Sequence, residues 1–172
     1  MAGPARRRQV AVIGSSEAGD RLAGAAEEVG RGLAGANAVV VCGGRGGVME
    51  AAARGARLGG GDVIGILPGE DPEAGNPDLT HVVATGIGRA RNLAVVASAD
   101  AVIAIGGEWG TLTEIGFARG LGRRVIVLEG WEVSGSGEMR GGPGIEQAPD
   151  AARAVELALR AAADTGGSGG AE

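Results

Sequence analysis

Five short runs of aliphatic residues constrain the fold of this chain more than any other feature. They are Val10-Ala11-Val12-Ile13, Ala38-Val39-Val40-Val41, Val63-Ile64-Gly65-Ile66-Leu67, Ala101-Val102-Ile103-Ala104-Ile105 and Val125-Ile126-Val127-Leu128. Each is apolar throughout rather than alternating, which is the pattern of strands covered on both faces in a parallel sheet. Alanine-rich stretches near 17–34, 47–58, 86–98, 111–121 and 150–163 read as helices between and after them. Strand–helix alternation of this kind predicts an α/β fold, a three-layer α/β/α sandwich on a mainly parallel sheet with right-handed crossovers. Residues 1–163 then form a single domain, and 164–172 read as a disordered tail. Residues 68–79 and 132–149, rich in Pro, Gly, Asp and Ser, are expected to be loops.

Composition narrows the chemistry. All 16 basic residues counted as Lys plus Arg are arginine, so the chain has no lysine. A pyridoxal-phosphate enzyme needs a Schiff-base lysine and a P-loop NTPase a phosphate-binding one, so neither can be built here. Cys42 and His81 are the sole cysteine and histidine. They permit no intrachain disulfide and no Cys/His zinc cluster, and no metal site is expected. His81 lies in a strand-like stretch and is expected to be partly packed rather than catalytic. The formal net charge of −5 argues against nucleic-acid or membrane-surface binding driven by bulk charge. Arg6-Arg7-Arg8 reads as a solvated arm. No apolar run is long enough to span a bilayer or to form a signal-peptide core, and a cytoplasmic location is the expectation.

The glycines cluster where strands give way to helices: Gly14-Ser15-Ser16, Gly43-Gly44-Arg45-Gly46-Gly47, and Gly106-Gly107-Glu108-Trp109-Gly110-Thr111. In a parallel sheet these three turns line one edge, the edge at which α/β proteins bind ligands. Glycine lets backbone amides approach an anion, and a helix N-terminus adds a favourable dipole. Three such loops together point to a phosphate-bearing ligand. If the first and fourth long strands are neighbours, Ser15-Ser16 and Gly110-Thr111 face each other across the crevice. Thr111-x-x-Glu114 also has capping-box spacing, which would put Glu114 in the first helical turn and keep it ionised. Arg89 and Arg91 precede the fourth long strand; arginine suits bidentate phosphate contact, and one of the two is expected to be solvated.

With these residues assembled, the chain resembles the lysine decarboxylase-like Rossmann superfamily. That superfamily includes the LONELY GUY cytokinin-activating phosphoribohydrolases and the molybdenum cofactor carrier proteins. The resemblance runs from about Val10 to Leu128. It rests on Gly14-Ser15-Ser16, CGGRGGVMEAA (Cys42–Ala52), ILPG (Ile66–Gly69), ARN (Ala90–Asn92) and GGEWGTLTE (Gly106–Glu114). It implies a Rossmann-like nucleotide-binding domain and a homodimer or homotetramer. The hydrolases carry Pro-Gly-Gly-x-Gly-Thr-x-x-Glu. Here Gly107, Gly110, Thr111 and Glu114 match, Gly106 replaces the proline and Glu108 the second glycine. Their catalytic arginine is followed by lysine, whereas Arg91 is followed by Asn92. The pattern is closer to the carrier branch.

The resemblance therefore implies a protein that binds a phosphorylated nucleotide or pterin, such as the molybdenum cofactor. Gly14, Ser15, Ser16, Gly43, Gly44, Arg91, Asn92, Gly107, Gly110 and Thr111 would hold the ligand. The alternative is a metal-independent phosphoribohydrolase that cleaves a nucleoside 5′-monophosphate to free base and ribose 5-phosphate, with no cofactor required. In that case Arg91 anchors the substrate and Glu114 stabilises the oxocarbenium-like charge. Decarboxylation is ruled out by the missing lysine.

Overall fold

The computed structural model describes residues 6–130 and 144–165 of the 172. The five apolar runs are strands: β1 (Gln9–Gly14), β2 (Val39–Cys42), β3 (Val63–Leu67), β5 (Ala101–Ile105) and β6 (Arg124–Leu128). Two more join the same sheet, β4 (His81–Ala84) and β7 (Ile145–Ala148). The helices are α1 (Asp20–Gly35), α2 (Val48–Leu58), α3 (Arg91–Ala97), α4 (Trp109–Gly120) and α5 (Ala151–Thr165). All seven strands run parallel in the order β4-β3-β2-β1-β5-β6-β7. The chain thus has the Rossmann-like three-layer α/β fold.

Side-chain direction along each strand builds both layers. Val10 and Val12 of β1 enter one core with Val29 and Leu33 of α1, Ala52 of α2 and Ala158 of α5. Ala11 and Ile13 enter the other, with Val95 and Val96 of α3 and Ile115 of α4. Almost every one of these side chains is fully buried, the valines, leucine and isoleucines each contributing roughly 1.5–3 kcal/mol of transfer free energy. With so few aromatics, close approach substitutes for bulk. A Cβ on Gly30 of α1 would run into the Ala52 carbonyl of α2, and one on Gly55 into the Glu27 carbonyl. The two helices meet backbone to backbone.

β1 and β5 are hydrogen-bonded neighbours, with Gly14 opposite Ile105. The chain winds outward from β1 through β2, β3 and β4, then returns to β5 on its other side. The loops after β1 and β5 diverge at this reversal and open a crevice beyond the strand ends.

Several expectations need correction. Residues 145–148 are the edge strand β7, not loop; the rest of the expected loop before them lies outside the described residues, apart from Gly144. The only intimation of β7, Ile145 and Ala148, is too sparse to register as a strand pattern. Asp164 and Thr165 belong to α5, where the Thr165 hydroxyl is shared between the Ala161 and Asp100 carbonyls. The remainder of the expected tail is outside the described residues. The expected helix over 86–98 begins as a 3₁₀ turn (Gly88–Ala90) and becomes α-helical only at Arg91. Arg6 and Arg7 are exposed, as expected of a solvated arm, and each is also held by an ion pair. Arg6 pairs with Asp100 at 2.5 Å and Arg7 with Asp62, because the residues preceding β5 and β3 lie beside the start of β1. His81 is exposed, its Nδ1 3.0 Å from the Thr80 hydroxyl. Among the described residues no helix is long and apolar enough to cross a membrane.

Candidate functional site

The crevice at the reversal holds a cavity of about 140 Å³. Gly14, Ser15 and Ser16 come to it from the end of β1, Arg91 and Asn92 from the start of α3, and Glu108, Gly110, Thr111 and Glu114 from the start of α4, with Met49 of α2 closing one side. Residues far apart in the chain thus meet because three parallel strands deliver them to one edge.

Arg91 dominates its electrostatics. The residue is only 8% exposed and lines the cavity, yet its Nε is buried with no hydrogen-bond partner and no ion pair engages it among the described residues. Burial lowers its pKa, while nearby Glu114 and Cys42 raise it and Arg45 lowers it further. A buried guanidinium without a bonded counter-charge is costly, and an anion in the cavity would supply what the protein does not. Gly43 makes room for it: a Cβ there would fall 2.7 Å from Cζ and Nη2 of Arg91 and closer still to Nη1. The turn carrying Gly43 is braced from the 68–79 loop, where Asn76 N donates to Gly44 O at 2.9 Å and Asn76 Nδ2 to Arg45 O at 3.1 Å. That loop is itself tied to α2 through Arg57 and buried Asp78 at 2.7 Å. Gly43 and Gly44 therefore stand behind the cavity and do not line it.

The capping-box reading of Thr111 and Glu114 does not describe α4. The helix starts earlier, with Glu108 as its N-cap residue and no side-chain capping bond. Leu112 N donates to Glu108 O at 3.1 Å. The amides of Gly110 and Thr111 precede that bond and face out of the helix start, available to an acceptor. Gly107 is on the other side of the turn, beside Gly106, Glu129 and Gly130. Its φ of 128° and a Cβ position 2.7 Å from the Thr111 side chain leave space only for glycine.

Glu114 is consequently in the second turn, buried, and beyond the reach of the dipole that was expected to keep it ionised. Burial pushes its pKa up to about 7, against a lowering pull from Arg91. Glu108 does not turn away from the cavity either: it lines the wall and accepts a hydrogen bond from Ser15 Oγ at 3.3 Å. Cys42 is fully buried, and burial raises its thiol to about 11. Among the described residues no group of three or more His, Cys, Asp and Glu side chains is placed to hold a metal ion.

Of the residues singled out from sequence, Gly14, Ser15, Ser16, Arg91, Asn92, Gly110, Thr111 and Glu114 line one cavity; Gly43, Gly44 and Gly107 surround it. Of the two arginines, Arg91 is buried and Arg89 exposed. Met49 was missed. Its place in CGGRGGVMEAA, one residue into the helix after the glycine turn, was the available signal.

Fold and site together define a Rossmann-like domain with a crevice at its switch point, lined by Arg91 and the start of α4. The chain belongs to the SLOG cluster4 family, whose model matches residues 7–155. A protein of Archaeoglobus fulgidus is 40% identical over 131 residues, covering 73% of this chain and 86% of its own length. Among solved structures, the molybdenum cofactor binding protein of Rippkaea orientalis is 32% identical with a TM-score of 0.82, covering 90% of this chain and 97% of its own. The molybdenum cofactor carrier protein of Chlamydomonas reinhardtii is 26% identical with a TM-score of 0.83, over 92% and 99% of the two chains.

Proposed function

We propose that the protein binds a phosphorylated nucleotide or pterin, of the kind carried by its molybdenum cofactor-binding relatives, with the phosphate in the crevice between β1 and α4. The observation that carries this reading is the buried Arg91 guanidinium, which has no ion pair among the described residues, beside the open amides of Gly110 and Thr111. Ser16 and Asn92 add polar groups along the wall. Glu108 opposes the anion, so the ligand's charge has to displace its contact with Ser15 or pass beside it. The molybdenum cofactor is cargo in this reading, and Arg91 would hold its phosphate. A homodimer or homotetramer is part of the same proposal, by likeness to the superfamily.

One observation favours the phosphoribohydrolase as a second reading. A buried carboxyl with a pKa of about 7 is near the optimum for proton transfer at neutral pH. Glu114 shares the cavity with the arginine that would anchor a 5′-phosphate. Its ionised form could take a proton from water attacking C1′ while the base departs.

Calorimetric titration with AMP, ribose 5-phosphate and molybdopterin, paired with chromatography for free base, separates the two. Saturable binding without base release supports the carrier. Base release that vanishes in both Glu114→Ala and Arg91→Ala overturns it. Absence of binding by every phosphorylated probe overturns both.

A further inference from the structure

We propose that a second groove beside the anion cavity seats a planar fused ring belonging to the same phosphorylated ligand, with Trp109 as its stacking surface. The inference rests on the phosphate reading above and names the part of the ligand that lies outside the phosphate cavity. A cavity of about 140 Å³ is too small for a whole nucleotide or pterin, so part of such a ligand lies outside it. Next to it lies a groove of about 380 Å³, between the 3₁₀ turn before α3 and the first turns of α4. Asn92 and Gly110 line both spaces, so the two compartments adjoin.

The walls of the groove have the chemistry of a ring site. The whole chain contains only two Trp, one Phe and no Tyr. Trp109 and Phe117 both line this groove, with Thr113 between them at helical spacing on one face of α4. Trp109 is 75% exposed and Phe117 is 38% exposed, so neither is consumed by the core. The Thr113 hydroxyl donates back to the Trp109 carbonyl at 2.9 Å, which leaves α4 presenting mainly apolar surface. Polar recognition comes from the opposite element, where exposed Arg89 offers a guanidinium fork to acceptors on a ring edge. An aromatic face and an edge-reading donor, one step from a phosphate cavity, fit one molecule that carries both groups.

The test is titration of ribose 5-phosphate and GMP into the full chain, its Trp109→Ala and Trp109→Phe variants, and Arg91→Gln. The wild-type protein should bind GMP about tenfold more tightly than ribose 5-phosphate, the scale of one base–aromatic stack. Trp109→Ala should abolish that advantage and leave ribose 5-phosphate binding unchanged, while Trp109→Phe retains most of it. Arg91→Gln should weaken both probes equally. The ring proposal is overturned if Trp109→Ala leaves the GMP advantage intact. It is equally overturned if that variant weakens both probes alike, or if its only effect is to dissociate an oligomer in light scattering, which would make the groove an interface between copies. Failure of Arg91→Gln to weaken either probe would instead overturn the phosphate reading.

Discussion

The Gly43 backbone packs against the Arg91 guanidinium so closely that no side chain fits between them. A glycine in the turn after β2 thereby determines where the cation beside β1 and α4 can sit. Since the guanidinium is the movable end of a long side chain, Gly43→Ala should displace Arg91 without unfolding the protein. Loss of one charge-assisted contact of about 1.5–3 kcal/mol predicts sulfate or ribose 5-phosphate affinity lower by about tenfold or more. Calorimetry measures it, and a melting curve close to wild type shows that the loss is local.

Glu114 makes stability depend on pH in a definite direction. Its folded pKa of about 7 lies above the ordinary value of 4.5, so the folded state retains a proton that the unfolded chain releases. Stability from this group is full below about pH 4.5 and is lost as pH rises through about 7, by a total on the order of 3 kcal/mol. Glu114→Gln should flatten that part of the profile and melt higher than wild type at pH 8. Denaturant titrations at pH 5, 6, 7 and 8 test the slope.

The same carboxyl should tune the proposed anion site. Sulfate does not titrate in this range, so any pH dependence of its binding belongs to the protein. Affinity should fall several-fold between pH 6 and pH 8 as Glu114 ionises beside Arg91, and Glu114→Gln should bind with little change across the interval. A wild-type affinity that stays constant over that range would contradict it.

Glu108 lines the cavity in which an anion is proposed to bind, and it accepts a hydrogen bond from Ser15 there. Glu108→Gly should tighten sulfate binding, with the gain largest at low ionic strength because exposed charges are screened by salt. A marked loss of affinity would show that Glu108 contacts the ligand itself.

Two glycines of α1 should respond oppositely to the same change. Gly24→Ala meets nothing within 4 Å and should stabilise by up to about 1 kcal/mol through helix propensity. Gly30→Ala drives a methyl into the Ala52 carbonyl and should cost about 1–3 kcal/mol despite that propensity. Thermal melts of the two variants decide it.

Much of this architecture was readable along the chain, because a strand buried on both faces must be apolar at every position, and Val10–Ile13 or Ala101–Ile105 could be little else. The placement of the glycine turns along one sheet edge was likewise readable, since parallel pairing puts them there whatever the strand order. The protonation of Glu114 was not readable: spacing to Thr111 suggested an ionised first-turn residue, and only packing showed α4 starting at Trp109 with Glu114 shut away from water. Nor could local sequence rank Arg89 against Arg91, or tell that Gly43 lies behind the cavity and Gly110 within it. Hydrophobic pattern and turn chemistry are local properties carried by neighbouring residues. Burial, pKa and the alignment of a cation with a helix start depend on which distant segments meet, and those were settled when β5 came to rest beside β1.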